Sequence, residues 1–303
     1  MGPVATAPQA TPLPLLRGGA PSVPCLGLDT VWFQVAGTLC NLTCRHCFIS
    51  CGPTHRAHEM MTRDVVARYL LEAESLGVND TYFTGGEPFL NRELLGILED
   101  ALRIGPATVL TNGTLITPER ARALADAHEA SRYSLEVRVS LDGPTPERND
   151  PIRGAGSFEA ALTGVERLAA AGLSPILTVA RVWEDEEDPE IRERFHELLR
   201  ARGLQRPRVK VLPLFLIGRE PGRTRGYAEE EALTREHMEG HDPWTLQCST
   251  SRMVTSRGVM VCPILIDAPD ARMGTTLAET LRPHPLAHGA CHTCWTTGAT
   301  CRN

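Results

Sequence analysis

The fold class predicted by the sequence is α/β: an open, partial (β/α)6 barrel followed by a small C-terminal cysteine-rich module. Three observations predict it. Six strand-like runs alternate with helix-like runs between about residues 29 and 230, and repeated βα units build a parallel sheet covered by helices. No glycine fingerprint of a doubly wound sheet follows the first run, which leaves the barrel as the leading architecture. The ten cysteines form two groups, with Cys25, Cys40, Cys44, Cys47 and Cys51 early, Cys248, Cys262, Cys291, Cys294 and Cys301 late, and none between.

Residues 1–28 are rich in Pro, Ala and Gly without periodicity and read as a mostly irregular arm. The barrel, 29–230, opens with the strand VWFQVAG (31–37). Val65, Val66, Tyr69, Leu70 and Ala73 then follow a 3.6-residue period. Thr62 is placed to cap that helix, and Gly77 to end it in the left-handed conformation. After the second strand, NDTYFTG (79–85), come Leu94, Leu95, Leu98 and Leu102 in helical spacing, with Asn91 as the expected cap. PATVLTN (106–112) precedes a helix opened by Thr117 and Pro118. SLEVRVSL (134–141) precedes one opened by Ser157 and ending near Gly172, and SPILTVARV (174–182) precedes one opened by Pro189. RVKVLPLF (208–215) is the sixth strand. The acidic run 184–188 reads as a solvated loop whose charge suits the helix start that follows. From 217 to 247 strand periodicity gives way to mixed charge, so the boundary falls near residue 230 and the module covers 231–303.

The fourth strand alternates where a strand buried on both faces should be apolar throughout. Leu135, Val137 and Val139 fit the helix-packed side, which turns Glu136, Arg138 and Ser140 into the barrel. Together with Lys210, Glu136 and Arg138 are candidates for touching a substrate; the alternatives are an edge strand with one wet face, or a Glu136–Arg138 pair that is only structural.

Composition excludes several classes. The net charge of -6 and the absence of a Lys/Arg run give no footprint for nucleic acid or an anionic membrane. No 18-residue apolar stretch exists, and the first residues lack the basic-then-apolar order of a secretion signal. The expected location is cytoplasmic. Cysteines kept reduced there, at close spacing, point to metal binding or catalysis more than to disulfides.

Residues 40–47 read CNLTCRHC, a C-x3-C-x2-C loop just after the first strand. A [4Fe-4S] cluster usually takes four cysteines. Three leave one iron open, and an open coordination position separates a reactive metal centre from a structural one. Gly85-Gly86-Glu87-Pro88 ends the second strand, Thr111-Asn112-Gly113 the third and Ser140-Leu141-Asp142-Gly143 the fourth, with Arg153 shortly after. Singly, these are ordinary turn strings, and three cysteines could be part of a zinc site. Jointly they fall at the C-terminal ends of strands, the face where (β/α) barrels build active sites. Two glycines let backbone come close to a ligand, Glu87 can neutralise an ammonium, and Arg153 can grip a carboxylate through two parallel hydrogen bonds. His46 and Cys51, beside the loop, are read as bystanders, and Cys25 as structural or incidental.

In this combination the chain resembles the radical S-adenosylmethionine (radical SAM) superfamily over roughly residues 30 to 220. The resemblance implies a TIM-like partial barrel. It further implies a [4Fe-4S] cluster on Cys40, Cys44 and Cys47, and S-adenosylmethionine (SAM) held near Gly85, Gly86, Glu87, Pro88, Asn112, Ser140, Asp142 and Arg153. Reductive cleavage of SAM to a 5'-deoxyadenosyl radical, followed by hydrogen abstraction from substrate, is the activity it implies. An external one-electron donor of flavodoxin or ferredoxin type is the implied partner.

The late cysteines, with C-x9-G-x3-C spacing from Cys248 to Cys262 and C-x2-C at Cys291 and Cys294, are similar to the auxiliary-cluster region of the SPASM and twitch branch. The resemblance implies one auxiliary [4Fe-4S] cluster on four of Cys248, Cys262, Cys291, Cys294 and Cys301. Either Cys301 replaces one of the others or it is spare, and a zinc ribbon on the same residues is the structural alternative. The substrate class it implies is a peptide or a small molecule; the short arm favours a small molecule or a leader supplied separately, and the ending CRN is unlike the Gly-Gly tail of the molybdenum-cofactor cyclase branch. The rival function is a non-catalytic electron-transfer or zinc-binding protein.

Overall fold

The structure is a computed structural model and describes residues 19–182 and 188–298. All six expected strands are present as one parallel array in chain order: β2 (Thr30–Gln34), β3 (Asp80–Thr84), β4 (Ala107–Thr111), β5 (Leu135–Ser140), β6 (Ile176–Ala180) and β7 (Arg208–Leu212). A short β1 (Ser22–Val23) precedes them. The crossovers are α1 (Arg63–Ser75), α2 (Leu94–Ile104), α3 (Pro118–Glu129), the pair α4 (Pro146–Arg153) and α5 (Ser157–Ala170), and α6 (Asp188–Ala201). No helix among the described residues is long and apolar enough to cross a membrane.

Strand alternation separates two cores. Phe33 stacks on Phe83 at 5.3 Å on the helix-packed side, with Val31, Leu98, Val109, Val137, Leu162 and Phe195. One residue earlier on each strand, Trp32 stacks on Tyr82 at 4.3 Å on the inner side, in a smaller cluster with Cys40, Cys51 and Met253. The register pairs Trp32 with Tyr82 and Phe33 with Phe83, so a one-residue slip would exchange the two faces.

The expected caps hold with one exception. Thr62 and Thr117 accept from the backbone N–H of Val65 and Arg120, and Gly77 takes φ +73° after α1. Asn91 does not cap α2 directly: its Oδ1 accepts from Glu93 N at 2.9 Å, while its amide donates to Val35 O and Met61 O at 2.9 Å each. It latches the helix start to the chain after β2. Ser157 opens α5 as expected, and the amides at its start go to Asp150, whose carboxylate accepts from Gly156 N at 2.7 Å and Phe158 N at 2.9 Å. Asp150 lies on α4, a helix that sequence reading passes over because Pro151 interrupts it.

The alternation of β5 is as expected, with Leu135, Val137 and Val139 in the helix-packed core. The inner side chains are engaged with one another and with neighbouring strands. Arg138 Nε pairs with Glu136 Oε1 at 2.7 Å, its guanidinium lies 5.2 Å from the centre of the Tyr82 ring, and Glu136 also holds Arg208 at 2.8 Å. Neither these residues nor Lys210 line the cavity described below; Ser140, at the C-terminal end of the strand, does.

Beyond residue 215, where no strand is expected, the sheet continues. β8 (Ser251–Thr255) pairs in parallel with β2, Thr30 opposite Ser251 and Phe33 opposite Val254. β9 (Gly258–Met260) and β10 (Arg272–Gly274) extend it antiparallel, giving the order β10-β9-β8-β2-β3-β4-β5-β6-β7. Part of the expected irregular arm is also ordered: β1 pairs with β11 (His284–Pro285), and Val23 is buried in the module core with Leu246, Val261, Leu286 and Cys291. The described residues of the module also include a one-turn α7 (Arg235–Met238) and end just after α8 (Gly289–Thr297).

Candidate active site

The cysteine loop is closed at its neck and clamped at both sides. Thr38 N donates to His58 O at 3.1 Å, Cys40 N to Gly52 O at 3.1 Å and Gly52 N to Thr38 O at 3.3 Å. Gly37, with φ +54°, sits where a Cβ would meet His58 O at 2.1 Å, so only glycine fits the neck. On one flank Arg45 N donates to Ile152 O at 2.8 Å, which docks the end of α4 on the loop. On the other, Arg219 N donates to Cys47 O at 3.1 Å and the Arg219 guanidinium donates to Cys51 O.

Cys40, Cys44 and Cys47 thereby line one cavity of about 220 Å³ at the C-terminal mouth of the strands, with Gly85, Gly86, Asn112, Ser140 and Arg153. Burial above all pushes the Cys40 thiol up to about 12 and Cys44 up to about 11. Cys47 goes the other way, to about 5, because the Cys51 thiol donates to it, helped by the nearby Arg219 charge and by backbone N–H groups. Further donors address the sulfurs: Leu42 N lies 3.4 Å from Cys40 Sγ, Cys51 N 3.3 Å from Cys47 Sγ, and Asn112 Nδ2 3.9 Å from Cys40 Sγ. Hydrogen bonds to sulfur are one of the levers that set the potential of an iron–sulfur cluster.

The strand-end residues divide into those that face this cavity and those that support it. Gly85 and Gly86 face it, but their small size serves the loop first: Gly86 N donates to Gly37 O at 2.8 Å, and a Cβ on Gly86 would stand 2.0 Å from Leu39 O. Glu87 is not among the residues that line it. It is fully buried, with Oε1 accepting from Phe89 N at 3.0 Å and Thr111 Oγ1 at 2.7 Å, and Oε2 from Asn112 N at 2.8 Å. Burial pushes its carboxyl above the usual range, and these bonds oppose the shift. Pro88 is also buried in the short turn Pro88–Leu90 and does not line the cavity. Glu87 therefore fixes the end of β4 and the backbone of Asn112.

Asp142 is likewise a support. Its Oδ2 lies 2.6 Å from Arg153 Nε and 3.1 Å from His46 Nε2, and its Oδ1 accepts from Ala180 N at 2.9 Å. Burial works against its charge, but Arg153 and His46 hold its carboxyl below the usual range. For His46 burial is the stronger influence, and it lowers the imidazole below its ordinary value. Asn149, which sequence reading missed, accepts from Asp142 N at 3.0 Å and donates to Ser157 Oγ at 2.9 Å, tying this group to the start of α5.

In the module, Cys248, Cys262, Cys291 and Cys294 are brought to a second, small apolar cavity. Cys248 precedes β8, Cys262 follows β9, and Cys291 and Cys294 stand one turn apart on α8. Burial pushes Cys248 far up and Cys291 up to about 12. The four thiols border one space, a donor set of the kind that holds a cluster or a zinc ion. Arg252, fully buried, donates to Cys248 O at 2.6 Å and Thr280 O at 2.8 Å and so fixes the Cys248 turn. Cys25 lies near this guanidinium and does not line the cavity. Cys301 lies outside the described residues.

Comparison with known proteins fits this geometry. A model of the radical SAM superfamily matches residues 35–199. The mycofactocin maturase MftC of Mycobacterium tuberculosis is 35% identical over 176 residues, 55% of this chain and 42% of that protein. A GTP 3',8-cyclase of Peptoclostridium acidaminophilum is 31% identical over 141 residues, 45% of this chain and 42% of that protein. The matched region thus spans less than half the length of these relatives. Among solved structures, Streptococcus suis SuiB bound to the precursor peptide SuiA superposes with a TM-score of 0.65 at 13% identity, covering 88% of this chain and 71% of SuiB. The anSMEcpe structure with bound AdoMet and a peptide gives 0.58 at 15% identity, covering 83% and 79%.

Proposed function

Because this chain belongs to the radical SAM superfamily, we propose that Cys40, Cys44 and Cys47 hold a [4Fe-4S] cluster whose open iron binds SAM, for hydrogen abstraction from a peptide substrate. When bound, this pair supplies one-electron reductive cleavage of a carbon–sulfur bond and, through it, a hydrogen-abstracting agent. The observation that carries the reading is the convergence of three thiols and a carboxylate-anchored Arg153 on one cavity.

The chain's residues bind, orient and exclude water. Arg153, fixed by Asp142, offers its remaining N–H groups to the SAM carboxylate; a guanidinium already held in place loses little freedom on binding. Asn112 and Ser140 offer polar contacts on the adjoining wall. With Glu87 turned inward, the amino group of SAM is left to the backbone of Gly85 and Gly86. Leu42, Leu212, Phe215, Met253 and Ile264 complete an apolar enclosure that keeps water from the reacting carbon.

Cys248, Cys262, Cys291 and Cys294 would hold one auxiliary [4Fe-4S] cluster, which would supply one-electron redox capacity beside the first. The likeness to a maturase, and to SuiB and anSMEcpe solved with peptides, favours a peptide over a small molecule. The test is anaerobic reconstitution followed by SAM and dithionite. About eight irons per chain, counting four per cluster, with release of 5'-deoxyadenosine is the expected result. Zinc without iron, or no cleavage, would sink the reading.

A further inference from the structure

The second cavity is lined by more than thiols. Besides Cys248, Cys262, Cys291 and Cys294, the described residues around it are aliphatic with two exceptions, Gln247 and His284. Both are buried, 5% and 4% exposed, and Nε2 of each is buried without a hydrogen-bond partner among the described residues. Buried polar groups nearly always have a partner, because an unpaired one forfeits its bonds to water. The contrast with other buried or half-buried histidines is direct. His46, His58 and His288 each give Nε2 to a carboxylate, of Asp142, Asp267 and Asp270 respectively. Nε2 of His284 has no such carboxylate, and of these four histidines His284 alone lines the second cavity.

Backbone contacts hold both residues in place. His284 begins β11, whose pairing with β1 sets it opposite Val23, and Leu286 N donates to Pro21 O at 2.8 Å. The arm that looked irregular in sequence therefore steadies one wall of the cavity. Gln247 immediately precedes Cys248, and its carbonyl accepts from Ser251 Oγ at 2.9 Å and Thr250 N at 3.2 Å at the start of β8.

We propose that Gln247 and His284 each donate an Nε2–H to a sulfur of the auxiliary cluster and thereby raise its reduction potential. The proposal rests on the reading of Cys248, Cys262, Cys291 and Cys294 given above. Four thiolates supply the four terminal ligands of a [4Fe-4S] cluster, which leaves the imidazole to donate and not to ligate iron. Reduction adds one negative charge to the cluster. An aliphatic wall disfavours that charge, whereas an N–H directed at sulfur stabilises it. Both donors keep their protons, and no bond forms or breaks.

The experiment uses the full chain carrying Cys40→Ala, Cys44→Ala and Cys47→Ala, so that anaerobic reconstitution loads only the module, with about four irons per chain. Redox titration followed by electron paramagnetic resonance reads the potential, and pulsed resonance in H2O and D2O reads exchangeable protons coupled to the cluster. His284→Phe and Gln247→Met, added singly, keep much of the side-chain volume and remove the N–H. Each is expected to retain the iron, to lose an exchangeable coupling and to shift the equilibrium about tenfold toward the oxidised state, about 59 mV for one electron. His284→Gln keeps a donor and shifts it less. If His284→Phe does not fold, Gln247→Met and His284→Gln decide the question. An equilibrium within about twofold of the starting chain in the folded variants, with the couplings kept, overturns the proposal. Iron loss from both His284 variants, with a nitrogen coupling in the starting chain, makes His284 a ligand and overturns its role as donor. Zinc, or no metal, in the starting chain overturns the module reading and this proposal with it, and is told apart because no potential is then recorded.

Discussion

The carboxylate of Asp142 grips Nε of Arg153 at 2.6 Å, so a guanidinium in the wall of the thiol cavity is held from behind by a buried anion. Asp142→Asn keeps the shape and removes the charge. Breaking a buried pair at one partner costs about 3–5 kcal/mol, and an unanchored guanidinium is expected to weaken SAM binding by about tenfold or more. Arg153→Lys keeps the charge but loses the planar fork, so it should weaken SAM with a smaller stability loss. Calorimetric titration of SAM and chemical denaturation of the reconstituted protein measure both; wild-type SAM affinity in Asp142→Asn would refute the anchoring role.

Gly86→Ala tests the junction between β3 and the loop. The added methyl would meet Leu39 O at 2.0 Å, and backbone on both sides leaves no flexible side chain to yield. The expected variant keeps its helix and strand content by circular dichroism but incorporates about half the iron, because the thiol loop is displaced while the module is untouched. Full iron content would show that the loop tolerates the shift.

Serine substitution of Cys262, Cys291 or Cys294 should each lower the iron from about eight to about four per chain. Cys25→Ser should leave it unchanged, since Cys25 stands outside the second cavity. Iron retained at eight in any of the three would remove that residue from the ligand set.

Asp150→Asn tests how α5 is started. Burial works against the Asp150 charge, but the N–H groups of Phe158 and Gly156 hold its carboxyl below the usual range. A lowered folded value means the stabilisation is complete above the unfolded Asp value, about 3.9, and is lost as pH falls through the folded one. At neutral pH the variant should be less stable by about 1–2 kcal/mol, as for a lost cap, and the gap should close as pH drops below about 4. A gap independent of pH would show that charge plays no part.

The first five barrel strands were legible because each is followed by a helix, two of which open on side-chain caps, Thr62 and Thr117. β8 was not: its five residues are buried on both faces, so no alternation announces it, and its partner β2 lies far away in sequence. In the site, spacing revealed which thiols belong together, since Cys291 and Cys294 need only one helical turn. The direction of Glu87 and Asp142 was invisible, because residues just past a strand end are oriented by distant donors such as Thr111 and Ala180. Arg252 and Asn149 were missed for the same reason: their partners are carbonyls and amides that any sequence possesses.

The parallel pairing of β8 with β2 means that the two halves of the chain cannot be parted at residue 230 without tearing the sheet. A barrel fragment ending there would present β2 as an open edge, with unpaired amides and carbonyls beside Trp32 and Phe33. Such an edge templates strand addition between molecules, so the isolated barrel is expected to aggregate where the whole chain stays dispersed. In this protein the auxiliary module is also the barrel's protective selvedge.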